Sequence, residues 1–480
     1  MANRYGIVAG WLGALVCALV LVVPAHAAAS IPNAGVTPSD HEVSATAPKV
    51  SVAVEGDLGE GVSSVDPEPG QTGVSVERTV SITLSEPVPV NSMGDPEYEI
   101  WLFPQPQYIG PTYLEQDSDG KTIAAEVILD DDKTYQVFVV LYEQMPLSYV
   151  FSTGSTLATG LVAGQLRIET SAFVFEEEVF DKPSKAGQED PLMDAGFAVF
   201  LTTEFPSTLA FKDSGLPLVT RVTATRTGDF VLTNVPPGEY YILATSTENY
   251  EIPYYGLTPD LIGFLDANND GVPDKITMAP GGTVTGLEVN INQAVGWPRI
   301  VWASPGMFET NVSHSESVTI SLRFSEDFEP HQGAFGIVQM FPVPESGMLS
   351  VHDFEMWQDE DYTWRADANV TLAPQTTYSL WIMEMSKVGS ARVPIRHVFT
   401  TGSEMPGGRI DGVVSIPPLM QGMGDGGMFA VVSADAEVPD ITGGDPGALF
   451  GFESIIGFGM VSPNGQYRLS YLPDGTYYST

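Results

Sequence analysis

Apolar and polar residues alternate in short runs along most of the chain, and Gly, Pro or Asn residues separate these runs. Val80, Ile82 and Leu84 form the apolar side of one run, and residues 318–324 repeat the pattern. A period of two residues places successive side chains on opposite faces of a β-strand. The pattern therefore predicts an all-β protein built from half-buried antiparallel strands.

Two similar segments organise the rest of the chain. Residues 227–241 read TGDFVLTNVPPGEYY, and residues 464–478 read NGQYRLSYLPDGTYY. Each segment starts with a Gly-containing turn and alternating apolar positions, continues through a Pro/Gly turn and ends in an aromatic strand. These features predict the same β-hairpin twice.

Further segments recur in the same order around this pair. The run that ends at Leu84 recurs at Phe324, and the segment that ends at Gly154 recurs at Gly402, 248 positions later (402 minus 154). This spacing indicates duplication of a unit of roughly 240 residues, which is longer than a solenoid repeat and typical of paired domains in tandem.

We predict four successive β-sandwich domains, because a chain of 480 residues is too long for one ordinary core. The predicted domains cover residues 60–157, 158–295, 296–405 and 406–480. The last domain has no counterpart of residues 242–293. We therefore expect it to be truncated, and the sequence to be part of a longer protein.

The N-terminal residues have the pattern of a secretory signal peptide. Arg4 precedes an apolar run from Ile7 to Val23, and Ala25-His26-Ala27 follows it. We expect cleavage after residue 27, with residues 28–59 as an extended linker, while an uncleaved membrane anchor remains the alternative. No later run reaches about 18 apolar residues, so no membrane span is expected after cleavage. These features predict a secreted or cell-surface protein.

Acidic residues dominate the charge of the chain. It carries 61 Asp+Glu against 20 Lys+Arg, which gives a formal net charge of -41. Such a surface repels phosphate backbones, so nucleic acid is not an expected partner and cations are the natural small ligands. The simpler interpretation, that acidity keeps an exported protein soluble, remains open. The only cysteine, Cys17, lies in the signal peptide, so the mature chain is expected to lack disulfides and thiolate metal sites.

Residues 60–157 and 296–405 resemble the bacterial Ig-like domain of S-layer proteins. The ordered segments VSITLSEPV, YxVxV and FSTGS carry this resemblance in the first copy, and VTISLRFSE, YSLWI and FTTGS are their counterparts in the second. The resemblance implies a seven-stranded β-sandwich that serves as a spacer or surface module in bacterial exported proteins. It implies no catalysis.

Residues 158–295 and 406–480 resemble the carboxypeptidase-regulatory-like, or collagen-adhesin B-type, domain. First strands near Leu166 and Ile410, second strands near Val199 and Ala430, and the segment GDFxLxNVPPGEYY carry this resemblance. Despite the family name, it implies a transthyretin-like accessory sandwich and not a peptidase.

One loop has the chemistry of a metal site. Oxygen-bearing side chains stand at alternate positions in the order Asp266, Asn268, Asp270, with Asp274 following after Gly271. Calcium takes about six to eight oxygen ligands, and this spacing resembles the first nine positions of an EF-hand loop. We assign these four side chains and the carbonyl group of Val272 as candidate Ca²⁺ ligands. The alternative is an acidic turn in which Asp and Asn bind their own backbone.

The remaining candidates are weaker. Residues 130–132 and 176–178 are charge runs of the kind that face solvent, and the histidines lack metal-ligand spacing. Trp357, Trp364 and Trp381 could stack on a sugar, but Trp381 aligns with Phe138 of the duplicated strand, which favours packing against a sheet. No catalytic motif is found, and no cofactor other than Ca²⁺ is expected.

Two functions remain open. The first is a non-enzymatic exported surface protein, whose tandem sandwiches act as spacers or as adhesive or ligand-presenting modules toward an extracellular protein or polysaccharide. The second is the accessory N-terminal part of a larger secreted hydrolase, whose catalytic domain would lie beyond residue 480.

Overall fold

The computed structural model describes residues 61–88, 98–115, 120–141, 147–168, 196–209, 216–246, 260–295, 300–324, 337–359, 363–383, 395–414, 428–433, 455–461 and 466–479. The predicted signal peptide and linker, residues 1–59, lie outside these ranges. The prediction of an all-β fold is confirmed, because the only helix within the described ranges is a single 3-10 turn over Val351–Asp353. No helix in this part of the chain has the length and apolar character to cross a membrane.

The strands form sheets that divide the described chain into four modules. Module 1 contains β1 (Val62–Asp66), β2 (Glu77–Leu84), β3 (Tyr98–Phe103), β4 (Tyr108–Ile109), β5 (Tyr113–Leu114), β6 (Thr122–Ile128), β7 (Thr134–Leu141) and β8 (Leu147–Ser152). Module 2 contains β9 (Gly160–Ile168), β10 (Phe197–Thr202), β11 (Leu218–Thr223), β12 (Asp229–Val235), β13 (Gly238–Ser246), β14 (Asp260–Leu265), β15 (Lys275–Met278) and β16 (Thr283–Val295).

In the described residues of its second half, the chain repeats this order with fewer strands. Module 3 contains β17 (Ile300–Ser304), β18 (Val318–Phe324), β19 (Ile337–Phe341), β20 (Glu355–Gln358), β21 (Trp364–Val370), β22 (Thr377–Met383) and β23 (Ile395–Thr400). Module 4 contains β24 (Gly408–Val413), β25 (Met428–Ser433), β26 (Ile455–Val461), β27 (Gln466–Leu472) and β28 (Tyr478–Ser479).

Modules 1 and 3 are two-sheet sandwiches with matching topology. In module 1, sheet β1-β2-β6-β4, which β5 also joins, covers sheet β3-β7-β8; in module 3, sheet β17-β18-β21-β20 covers sheet β19-β22-β23. Each sandwich encloses its own hydrophobic core, because alternate residues of both sheets point inward. Tyr135 lies 5.7 Å from Phe151 in one core, and Tyr378 lies 5.8 Å from Phe399 in the other.

The two tyrosines also close equivalent corners. The N–H of Asp130 donates to the Tyr135 hydroxyl at 2.7 Å, and the N–H of Ala373 donates to the Tyr378 hydroxyl at 2.7 Å. A buried phenol needs a hydrogen-bond partner, and each corner supplies one five residues upstream. Burial raises the pKa of Tyr135 to about 12, so the phenol stays protonated at neutral pH.

Modules 2 and 4 differ in topology from modules 1 and 3. Module 2 follows the path β11-β10-β13-β14-β16-β9-β12, with β15 paired to β13, and module 4 follows β24-β27-β26-β25-β28. The long strand β16 links the two halves of this sheet, since it pairs antiparallel with β14 and parallel with β9. The core of module 2 therefore lies inside one curled sheet.

The hairpin prediction for residues 227–241 and 464–478 is wrong. Strand β12 pairs with β9, whereas β13 pairs with β10, β14 and β15. In the second copy, β27 pairs with β24 and β28 pairs with β25. The hydroxyl of Tyr240 donates to Pro236 O at 3.0 Å, and that of Tyr477 donates to Pro473 O. These contacts hold each turn as an arch, so its strands reach different parts of the sheet.

Candidate metal centre

The predicted calcium loop, residues 266–274, connects β14 to β15 on the surface of module 2. Asp266 accepts backbone hydrogen bonds at both carboxylate oxygens, from the N–H of Asp270 at 3.0 Å and of Gly271 at 2.8 Å. Asp274 Oδ2 accepts the N–H of Ala267 at 2.8 Å. The first and last carboxylates of the loop therefore both point toward the loop backbone.

The middle of the loop is also hydrogen-bonded internally. Asp270 Oδ1 accepts the N–H of Val272 at 2.8 Å, and Asp270 Oδ2 accepts a hydrogen bond from Asn268 Nδ2 at 2.9 Å. Gly271 adopts a φ of +86°, which allows the sharp turn. The structure thus brings the predicted side chains onto one loop in the hydrogen-bonding pattern of an acidic turn. Within the described residues, no group of three or more His, Cys, Asp or Glu is arranged to hold a metal ion.

Burial and charge crowding perturb the pKa of Asp266. Desolvation raises the pKa of Asp266, the hydrogen bonds from Gly271 and Asp270 oppose that rise, and the charges of Asp270 and Asp274 add to it. The carboxylate form is therefore disfavoured at this position, and a nearby cation would favour it.

The loop lies against module 4 rather than in open solvent. The Tyr471 hydroxyl donates to Gly271 O at 2.8 Å, and Arg409 Nη1 donates to Asn269 Oδ1 at 2.9 Å. The side chain of Val272, whose carbonyl was assigned as a candidate ligand, packs in an apolar cluster with Tyr471 and Met307. The candidate metal loop therefore forms part of a junction between modules 2, 3 and 4.

Aromatic rings form the centre of this junction. Phe308 of module 3 lies 5.4 Å from Phe205 and 5.7 Å from Phe264 of module 2, and 5.4 Å from Tyr471 of module 4. The N–H of Met307 donates to Ser207 O at 2.9 Å across the same junction. Rings at these distances attract one another beyond the effect of area burial.

Phe308 and Tyr471 both adopt a backbone conformation that bulky residues rarely adopt. Their φ angles are 61° and 65°, in the left-handed region. The equivalent position of Phe308 in module 1 is Gly70, with φ 78°, and that of Tyr471 in module 2 is Asn234, with φ 57°. Gly and Asn tolerate this region, whereas an aromatic residue there costs about 1–2 kcal/mol. Gly70 and Asn234 therefore suit the left-handed backbone at these positions better than Phe308 and Tyr471 do.

Modules 1 and 2 meet at a second junction, where Gln136 acts as a surrogate peptide group. Its Oε1 accepts the N–H of Arg221 and the hydroxyl of Thr220, each at 2.8 Å, while its Nε2 donates to Arg221 O at 2.8 Å. The Arg221 guanidinium carbon lies 4.4 Å from the ring centre of Phe138 and 5.2 Å from that of Trp101. This amide and these cation–π contacts dock the edge strand β11 onto module 1.

The other sequence candidates are scattered. Trp381 is buried with Phe341 and Ile455, so the prediction that this side chain packs against a sheet is confirmed. Trp364 packs against the core of module 3. Residues 130–132 lie in the turn between β6 and β7, and residues 176–178 lie outside the described residues. His397 is buried, its Nε2 lies 2.7 Å from Pro305 O, and burial lowers its pKa to about 4.

Sequence reasoning missed both junctions. Phe308 and Tyr471 stand at positions where the sister modules carry Gly70 and Asn234. An alignment of the repeats would have revealed these two aromatic residues as unusual. Gln136 and Arg221 belong to no local motif. Their partnership depends on how one module docks on the next.

No protein-family model and no curated protein sequence matches the chain. Solved structures similar to it include the ICAM-5 D1-D4 ectodomain fragment, at 11% identity over 87% of this chain and 97% of that chain, with a TM-score of 0.15. The N-terminal eight Ig domains of Down Syndrome Cell Adhesion Molecule match at 11% identity over 84% of this chain and 42% of that chain, with a TM-score of 0.16. Domains 1-6 of the surface layer protein SbsC match at 11% identity over 71% of this chain and 53% of that chain, with a TM-score of 0.14. TM-scores this low carry no argument about function.

Proposed function

We propose that the chain is a non-enzymatic, exported bacterial surface protein in which Ig-like and carboxypeptidase-regulatory-like sandwiches act as a stiff spacer. A spacer needs successive modules to keep a fixed orientation. The junctions described above supply the means, because each one combines specific hydrogen bonds with packed rings rather than a free linker. The amide of Gln136 on the β11 edge is the observation that carries the proposal, since it fixes both the position and the register of module 2 against module 1.

Distance measurements between introduced spin labels test this stiffness. Lys133 in module 1 and Glu239 in module 2 are exposed, and both are replaced by cysteine in a Cys17→Ser background, which leaves no other cysteine. A fixed junction gives one narrow distance distribution. The Gln136→Leu variant leaves the N–H and C=O of Arg221 without their partner, at a cost of about 1–3 kcal/mol for each unsatisfied group. The distribution should then broaden.

Trp357→Ala is a matched control, because that exposed side chain lies in module 3, away from this junction. A broad distribution in the unchanged protein would contradict the spacer role. So would a distribution that stays equally narrow in Gln136→Leu.

We further propose that Ca²⁺ stabilises the loop of residues 266–274. Supporting this proposal, the loop alternates oxygen side chains, and each carboxylate oxygen that accepts one hydrogen bond keeps a second lone pair for a cation. The loop also touches Tyr471 and Arg409, so an ion bound there would stiffen the junction with module 4. Extracellular calcium modules bind with Kd of roughly 0.1–1 mM.

Thermal unfolding with chelator and with about 10 mM Ca²⁺, an excess over that Kd range, tests the calcium proposal. An ion that binds only the folded state stabilises it by about 2.7 kcal/mol at a hundredfold excess over Kd. The melting temperature should rise with Ca²⁺, and Mg²⁺ at the same concentration controls for ionic strength. Identical melting curves with chelator and Ca²⁺ would leave the acidic turn as the better interpretation.

A further inference from the structure

Four side chains form a continuous row on the outer face of the four-stranded sheet of module 3. The strand register pairs Trp302 with Arg323, Arg323 with Arg365, and Arg365 with Trp357. Directly paired residues of antiparallel strands project to the same face of the sheet. Trp302 is 41% exposed and Trp357 is 39% exposed. We call these four residues the Trp/Arg row.

The fold does not require these residues, as the sister sheet of module 1 shows. Strands β1, β2 and β6 occupy the places of β17, β18 and β21, and the same row there consists of Ser64, Thr83 and Thr122. Thr83 Oγ1 and Thr122 Oγ1 form a hydrogen bond of 3.0 Å. Glu115, whose N–H donates to Thr122 O, holds the fourth position of the row, which is that of Trp357 in module 3. Small hydroxyl side chains therefore satisfy this backbone.

The Trp/Arg row brings two like charges together, which its sister does not. It replaces a hydrogen-bonded Thr pair with two directly opposed guanidinium groups, and like charges in that arrangement are destabilising. Contacts within module 3 hold both groups in place: Arg323 Nε donates to Thr363 Oγ1 at 3.1 Å, and Arg365 pairs with Asp359. Residues that the sister sheet does without, and that are held in place here, point to a role toward a ligand.

The neighbouring side chains indicate the chemistry of that ligand. The next row of paired residues on the same face consists of Ser304, Ser321, Asp367 and Glu355. With Asp359, the carboxylates outnumber the two guanidinium groups, so the face does not complement a polyanion. The face thus carries hydrogen-bond donors and acceptors beside two exposed indole rings.

We propose that this face binds an uncharged oligosaccharide. The indole rings stack on the apolar C–H faces of sugar rings, while the guanidinium and carboxylate groups exchange hydrogen bonds with the sugar hydroxyls. The two Trp stand three inter-strand steps apart, about 14 Å at about 4.8 Å per step, so the ligand spans several sugar rings. The proposal goes beyond the spacer role and does not depend on it.

Affinity electrophoresis of the full chain, in gels that contain xylan, mixed-linkage β-glucan or galactomannan, tests the proposal. We expect at least one of these neutral polysaccharides to retard the protein. The sister-swap variant Trp302→Ser, Arg323→Thr, Arg365→Thr, Trp357→Glu carries side chains that the equivalent backbone already accommodates. It should lose retardation, with at least a tenfold rise in Kd, which corresponds to about 1.4 kcal/mol. Met348→Ser, at a side chain 53% exposed in the same module, is the control and should leave binding unchanged.

Three outcomes would overturn the proposal. They are no retardation by any of the three neutral polysaccharides, equal retardation of the sister-swap variant, and stronger retardation by polygalacturonate than by the neutral chains. If circular dichroism shows that the sister-swap variant does not fold, the single variant Trp357→Ala tests the proposal instead. A row that binds sugar loses affinity in this variant without any change in melting temperature, and unchanged affinity refutes the proposal.

Discussion

Replacing Phe308 by the residue of its sister module gives the sharpest test of how the modules are joined. Gly70 holds the equivalent position in module 1, and the N–H at each position donates to an equivalent carbonyl, Val150 O for Gly70 and Val398 O for Phe308. Phe308→Gly should therefore keep the local backbone and remove only the ring. Phe308→Ala removes the same ring but keeps a side chain in the left-handed region, at φ 61°.

The structure sets the sizes of two opposing effects. Phe308 makes aromatic contacts with Phe205, Phe264 and Tyr471. At about 0.5–1.5 kcal/mol for each aromatic pair, the junction loses about 1.5–4.5 kcal/mol in either variant. Glycine relieves about 1–2 kcal/mol of backbone strain, and its added freedom in the unfolded chain offsets about 0.4–1 kcal/mol of this gain. Module 3 should thus be more stable by about 1 kcal/mol in Phe308→Gly than in Phe308→Ala.

Two measurements separate these effects. Differential scanning calorimetry of the full chain reports the unfolding of module 3, and spin-label distances between modules 2 and 3 report docking. Both variants should broaden the distance distribution equally and lower the melting temperature of module 3, and Phe308→Ala should lower it further than Phe308→Gly. Trp302→Ser serves as a control, because Trp302 is an exposed aromatic residue outside the junction. Equal stability of the Gly and Ala variants would refute the strain, and unchanged distances in both would refute the docking role.

Three further predictions concern single groups. Tyr240→Phe removes the hydrogen bond to Pro236 O and should lower the free energy of unfolding by about 0.5–1.5 kcal/mol in urea titrations; no loss would mean that this hydrogen bond does not stabilise the arch. Burial lowers the pKa of His397 to about 4 from 6.5, so its neutral form contributes stability that is complete above pH 6.5 and is lost as the pH falls toward 4. This loss amounts to at most about 3 kcal/mol. His397→Gln should therefore flatten the pH dependence of the free energy of unfolding, measured in urea between pH 7 and 4. Parallel curves for the variant and the unchanged protein would contradict the prediction. Asp266→Asn replaces one of the two oxygens that accept backbone N–H groups with an amide donor, so it should lower the melting temperature with chelator and abolish any increase caused by Ca²⁺; a retained increase would exclude Asp266 as a ligand.

The repeats illustrate how far local sequence reaches. Alternation at Val80, Ile82 and Leu84 is a property of adjacent residues, and so it predicted the strands and the all-β class correctly. The pairing of β12 with β9 instead of β13 is not a local property. The turn chemistry around Pro236 and Pro237 is compatible with a hairpin or with an arch, and the Tyr240 hydroxyl bond to Pro236 O accompanies the arch.

The sequence by itself determined the strand periodicity and the position of the acidic loop, because each of these resides in residues that are close in the chain. It also determined the duplication, because each copy repeats such local patterns. Only the tertiary structure decided which residues become neighbours across modules and strands. Trp302, Arg323 and Arg365 are far apart in sequence, and antiparallel register alone aligns them with one another and with Trp357. The left-handed conformation of Phe308 likewise follows from a backbone path that its own side chain disfavours. Contacts between distant segments supply the free energy that holds such arrangements, and no local pattern records them.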